Sequence, residues 1–248
     1  MRRLITIPIS HFCEKARWAL DRAGLDYREE RHVQGVHQVV SRRAGGRGTL
    51  PVLVCEAGVL AESEEILRWV DEQVADDRRL FPPPGPERDD VLALSRWLDA
   101  GLGPDGRRWI YAQMLKDRRL MLRVNNQGVP AWENALLRGL FPLMATFVKR
   151  ELDVTANTVD ADGPRVRHAF DEIAARLADG RRHLGGDRFT AADLTFACLA
   201  APVIVPPGYG LPLPRVDELS ADTAARVRAF RAHPAGAYAM GLFSTHRR

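Results

Sequence analysis

The chain has 248 residues, 46% of them hydrophobic and 27% charged, the composition of an ordinary globular protein long enough to divide into two cores. Its apolar runs fall well short of the roughly 18 residues of a membrane span, its first ten residues hold too brief an apolar stretch for a secretory signal, and three scattered cysteines, Cys13, Cys55 and Cys198, cannot frame a disulfide scaffold, so the reducing cytoplasm is the expected compartment. Lys and Arg outnumber Asp and Glu by 36 to 32, but the two signs are interleaved without a long one-sign block, which speaks against a nucleic-acid partner.

The elements alternate at first. Leu4–Ile7, ended by Pro8, reads as a buried strand. From Cys13 the apolar residues Cys13, Ala16, Leu20 and Ala23 fall at helical spacing, with Glu14, Lys15, Arg17, Asp21 and Arg22 on the remaining face and Gly24 placed as a C-cap. Tyr27–Val33 alternates as a strand does, and a short helix is expected over Val36–Arg43. Val52–Cys55 and Val59–Leu60 flank Glu56-Ala57-Gly58 as a tight hairpin. Ser63 opens a further helix, with Glu64 and Glu65 in a first turn that favours acids and Ile66, Leu67, Val70 and Val74 along one face.

After this β-α-β-α-β-β-α order comes Phe81-Pro82-Pro83-Pro84-Gly85-Pro86, four prolines in six residues, the signature of a linker. Beyond it the stripes are helical, as in Val91, Leu94, Leu98 and Leu102 or Val166, Ala169, Phe170, Ile173 and Leu177. The expected division is an α/β domain over residues 1–80, a linker over 81–88 and an all-helical domain over 89–248. Cys55 and Cys198 lie in apolar runs and are expected in the core. Seven histidines show no paired ligand spacing, and no metal is expected.

Four motifs carry the functional reading: Ser10-His11-Phe12-Cys13 between the first strand and its helix, Leu50-Pro51-Val52 at a strand start, Glu62-Ser63 before a helix, and Phe189-Thr190-Ala191-Ala192-Asp193-Leu194 in the helical part. In this order they resemble the glutathione transferase superfamily: an α/β, thioredoxin-like N-terminal domain with S-x-x-C at its first turn, followed by an all-α domain with a helix capping box and hydrophobic staple. The resemblance implies a homodimer that binds glutathione as co-substrate, with no metal, and attacks a small hydrophobic electrophile with the glutathione thiolate. It assigns Ser10 to the thiolate, Leu50 and Pro51, joined by a cis bond, to the cysteinyl backbone, and Glu62 and Ser63 to the γ-glutamyl group.

The chemistry matches these residue types. A thiol with a pKa near 8.5 is only about 3% ionised at pH 7. A hydrogen bond to the charged form, worth roughly 1.5–3 kcal/mol, lowers that pKa by about one to two units, and a helix N-terminus adds to the effect. Ser10 and Ser63 each also suit a plain helix N-cap, and Pro51 a plain strand start.

Two features leave other readings open, and the second departs from the family pattern. Cys13 resembles the second half of a C-x-x-C pair whose partner is Ser10, which leaves a thiol oxidoreductase working through Cys13 as an alternative mechanism. Gly45-Gly46-Arg47-Gly48 replaces the Asn-Pro common before the V-P step. The loop is therefore expected to be more flexible, and the glycyl carboxylate has only His37, Arg43 and Arg47 as candidates, which keeps open a non-catalytic binding or regulatory protein of the same fold. His11, Phe12, Trp109 and Tyr111, with Met114 and Trp132, are the candidates for the electrophile pocket, although aromatic residues at helical spacing also build cores.

Overall fold

The computed structural model describes residues 1–247; Arg248, the last residue of the expected helical domain, lies outside the described residues. Its first part runs β1 (Arg2–Thr6), α1 (His11–Ala23), β2 (Tyr27–Arg31), α2 (Val36–Arg43), β3 (Val52–Cys55), β4 (Gly58–Leu60) and α3 (Ser63–Glu72), the order expected from the sequence. The strands form one sheet, β2-β1-β3-β4, in which β1 is parallel to β2 and antiparallel to β3. The central strands β1 and β3 bury Leu4, Ile5, Val52 and Leu53, whereas the edge strand β2 carries Arg28, Glu29, Glu30 and Arg31.

Ser10 caps α1 at its start, and Gly24 ends it in the left-handed conformation at φ 69°, which a side chain would disfavour. The face of α1 that periodicity assigns to solvent is instead buried: Glu14, Lys15 and Arg17 are at most 2% exposed. The reason is position, since α1 packs against α3 on one side and the helical part on the other, and each charge finds a partner there. Lys15 Nζ meets Asp99 at 2.7 Å. Arg17 donates to Glu29 at 2.6 Å, to Glu14 at 3.3 Å and to the Ile7 carbonyl at 3.1 Å. Glu14 also accepts from the Gly210 amide at 2.9 Å and from Arg247 at 2.7 Å.

The proline-rich segment is firmly seated at its start. Phe81 is buried, and the Asp71 carboxylate accepts from the Leu80 and Phe81 amides. Pro86 is already the first residue of α4 (Pro86–Ala100), a position at which its missing N–H costs nothing. Gly101 separates α4 from α5 (Leu102–Met114); α6 (Arg118–Asn125), α7 (Ala131–Gly139) and α8 (Phe141–Glu151) are short, and α9 (Thr158–Leu177) packs against α5. The almost wholly buried α10 (Ala191–Ile204) forms the centre, flanked by α1, α4, α5, α11 (Ala221–Ala232) and α12 (Pro234–His246). The expected capping box is present at its start: Thr190 accepts from the Asp193 backbone, and Asp193 accepts from the Thr190 amide at 2.7 Å. Phe189 stacks on His246 with ring centroids 4.4 Å apart. Among the described residues no helix is long and apolar enough to cross a membrane.

Candidate functional site

A cavity of about 310 Å³ opens where the N-terminus of α1 faces α2, the loop before β3, α5 and α8. Of the residues singled out in the sequence it gathers Ser10, His11, His37, Leu50 and Tyr111. A smaller cavity of about 50 Å³ adjoins it and shares Ile9, His11, Arg107 and Tyr111 as a common wall; the rest of its lining is largely apolar, with Ile110, Met114 and Leu213 among it.

Ser10 sits at the junction of β1 and α1 because β1 ends at Thr6 and the turn through Pro8 delivers it to the N-cap position. Its Oγ accepts the Cys13 amide proton at 3.3 Å and lies within hydrogen-bonding reach of the Cys13 thiol, and as a hydroxyl it keeps one proton to donate. Cys13 itself is wholly buried, and burial pushes its thiol up from the ordinary value against the pull of Arg17 and Ser10. A thiol so placed is inert toward a solvent-borne partner. Cys198 is buried as expected, whereas Cys55 is only half-buried because it ends β3 at the edge hairpin.

His11 is 3% exposed, and its Nε2 has no hydrogen-bond partner. Burial, helped by Arg107, lowers its pKa to about 3, so the ring is neutral at pH 7. Burial likewise lowers His37 to about 4. The His37 Nδ1 lies 3.1 Å from the Gly35 amide nitrogen, and the ring also bonds to the Val33 backbone. Beside it, Gln38 donates to Glu151 of α8 at 3.2 Å, both lining the larger cavity.

The Leu50–Pro51 bond is cis, as the resemblance implies. The glycine-rich loop before it is held more tightly than its composition indicates. Buried Ser41 donates to the Thr49 carbonyl at 2.8 Å and accepts from the Gly48 amide at 3.1 Å. A Cβ on Gly46 would stand 2.6 Å from Ser41 Oγ and 2.7 Å from Val52 Cγ2, so close approach is what requires glycine there. Arg43 and Arg47 are exposed and line neither cavity.

Glu62 and Ser63 also lie outside both cavities. Glu62, rather than Ser63, is the N-cap of α3: its carboxylate accepts from the Glu65 backbone while Glu65 accepts from the Ala61 and Glu62 amides. Ser63 is the buried first residue of the helix. Trp109 points into the helical core, edge-on to Phe230 with centroids 5.6 Å apart, and Trp132 is exposed on α7. Phe12 lies against Gly103 of α5, where a Cβ would come within 2.6 Å of its ring. None of these three lines either cavity.

Gln38, Arg107 and α8 are site components that the sequence reading passed over. Arg107 had a signal available, since it stands one turn before Tyr111 on the same helix face. Among the described residues no cluster of three or more His, Cys, Asp or Glu side chains is placed to hold a metal ion.

Residues 4–78 match the family model of the glutathione S-transferase N-terminal domain, and residues 156–233 match that of the glutathione S-transferase C-terminal domain. No curated protein matches the sequence. Among solved structures, a glutathione transferase from Phanerochaete chrysosporium is similar at 20% identity and TM-score 0.65, covering 100% of this chain and 97% of its own. A glutathione S-transferase from Xanthobacter autotrophicus Py2 gives 19% and 0.60 with 99% and 93% covered. One from Methylobacillus flagellatus KT, solved with GSH bound, gives 14% and 0.57 with 96% and 98% covered. Two domain models in the right order, over a small mixed sheet followed by a helical bundle, make the chain a member of the glutathione S-transferase superfamily.

Proposed function

We propose that the protein is a glutathione transferase in which Ser10 holds the thiolate of bound glutathione for attack on a small hydrophobic electrophile. The observation that carries this reading is the position of Ser10: it caps α1, its hydroxyl retains a proton to donate, and it lines the same cavity as Leu50, His37 and Gln38. Glutathione then runs along that cavity with its cysteinyl backbone against Leu50 and Pro51. Its glycyl carboxylate lies toward His37 and Gln38, where a neutral imidazole rather than a cation stands. The γ-glutamyl group extends past the cavity to the N-terminus of α3, where Glu62 and Ser63 stand. Residues 1–80 form the glutathione-binding unit, α5 and α8 wall its cavity, and the protein acts in the cytoplasm as a homodimer.

The hydroxyl of Ser10 and the α1 amides stabilise the ionised sulfur, the thiol proton leaves to solvent, and the thiolate attacks from the α5 side. The Ser10→Ala variant tests this directly. The pKa of glutathione's thiol in the complex, followed by thiolate ultraviolet absorbance, should rise by about one to two units, and kcat should fall at neutral pH while glutathione still binds. An unchanged thiol pKa in Ser10→Ala overturns the assignment, as does loss of activity in Cys13→Ala instead. No glutathione binding at millimolar concentration removes the transferase reading altogether.

A further inference from the structure

We propose that Arg107 selects the second substrate, and that this substrate is a hydrophobic electrophile carrying a carboxylate or a similarly compact anionic group. The inference rests on the transferase reading above and names the substrate class for the same site.

Helix α5 places Arg107, Ile110, Tyr111 and Met114 at i, i+3, i+4 and i+7, one face that lines the smaller cavity. Three of these four give an apolar or aromatic wall; the fourth is a guanidinium. Its Nε is buried without a hydrogen-bond partner, its guanidinium carbon lies 6.0 Å from the Phe12 ring centroid, and the ionisable groups that couple to it, Tyr111, Arg108 and the neutral His11 and His37, include no carboxylate. The one acid lining the larger cavity, Glu151, stands at the α2 end, where it accepts from Gln38. His11 beside Arg107 is neutral and likewise keeps a buried nitrogen unpartnered.

Elsewhere the cations less than a tenth exposed, Lys15, Arg17 and Arg247, are all paired with carboxylates; Arg22 also keeps a buried, unpartnered Nε, but it lines neither cavity. A desolvated guanidinium without a counter-charge is costly, and its planar fork fits a carboxylate through two parallel hydrogen bonds. Glutathione is the poorer match for that fork. Leu50 and His37, which mark its path, line only the larger cavity, whereas Arg107 borders both.

In the reaction, the thiolate forms a C–S bond at the carbon bearing the leaving group while the bond to that group breaks. With an aryl chloride, chloride departs with the electron pair. Arg107 takes no part in the bond changes and orients the substrate through its anion.

The test compares 4-chloro-3,5-dinitrobenzoate with the neutral 1-chloro-2,4-dinitrobenzene, each corrected for its uncatalysed rate with glutathione. In Arg107→Gln the ratio of kcat/KM for the benzoate over that for the neutral compound should fall about tenfold or more, mainly through KM, and Arg107→Lys should restore part of it. A second measurement needs no chemistry: 3,5-dinitrobenzoate titrated into the glutathione-free protein by calorimetry should bind about tenfold more weakly to Arg107→Gln than to the parent. Equal loss on both electrophiles, no Arg107-dependent preference for the anion, or displacement of glutathione by the dinitrobenzoate overturns the proposal. Anion binding that depends on Arg107 in a protein that fails to bind glutathione would sink the transferase reading alone.

Discussion

Within α1, Arg17 is 2% exposed and reaches three acceptors, the carboxylates of Glu14 and Glu29 and the Ile7 carbonyl. On α5, Arg107 has its Nε buried with no acceptor at all among the described residues. Both charges are paid for in desolvation, but only the first is compensated within the chain. Fully satisfied ionic groups between α1 and the helical part fix how the two sides meet; an unsatisfied one at the cavity wall is a demand that a ligand must meet.

The largest expected effect tests the satisfied side of this contrast. Arg17→Leu strands Glu14 and Glu29 with fewer donors in a buried setting and should cost about 3–5 kcal/mol in urea unfolding. A loss under about 1 kcal/mol would mean that the network carries little of the architecture.

An intermediate effect concerns pH. The His11 ring is held neutral in the folded protein down to about pH 3, against an ordinary value of 6.5. Below pH 6.5 the unfolded chain therefore binds a proton that the folded one does not, and stability falls as pH falls from about 6.5 toward 3. At pH 5 the loss from this histidine is about 2 kcal/mol relative to pH 7.5. His11→Asn should flatten the stability–pH curve by that amount, and an unaltered slope would show that the ring is protonated in the native state.

The smallest expected effect is on the other arginine. Arg107→Leu removes a charge that has no carboxylate partner and only the Phe12 ring, its centroid 6.0 Å away, beneath it, so the unfolding free energy should stay within about 1 kcal/mol of the parent or rise. A loss as large as that of Arg17→Leu would erase the difference between the two regions.

Much of this architecture is legible from local patterns. The β-α-β-α-β-β-α order, the Gly24 cap and the Thr190–Asp193 capping box all follow from spacing over a few residues. The misreadings arise where distant segments decide. Glu14, Lys15 and Arg17 look like a solvated face, because the acids and bases that bury them, Asp99, Glu29 and Arg247, lie up to 233 positions away. The direction of Trp109 depends on how α5 departs from α4 at Gly101 and packs on α9, which no periodicity within α5 reveals. The motif Ser10-x-x-Cys13 is legible from spacing alone, yet which of its two polar atoms faces the cavity is a matter of burial. The same holds for the glycine-rich loop, whose anchor is the buried Ser41 five residues before Gly46.

Glu133 has an effect of another kind. This wholly buried carboxylate on α7 accepts from His32 Nδ1 at 2.7 Å and from the Val33 amide at 2.9 Å, at the point where β2 gives way to α2. The first 80 residues thus leave the sheet with two donors that only a helix 100 positions later satisfies. Folding of the α2 side of the sheet is thereby tied to the arrival of α7. An N-terminal segment emerging alone would have its strands paired but this corner unfinished, and the whole chain should unfold as one cooperative unit rather than in two steps.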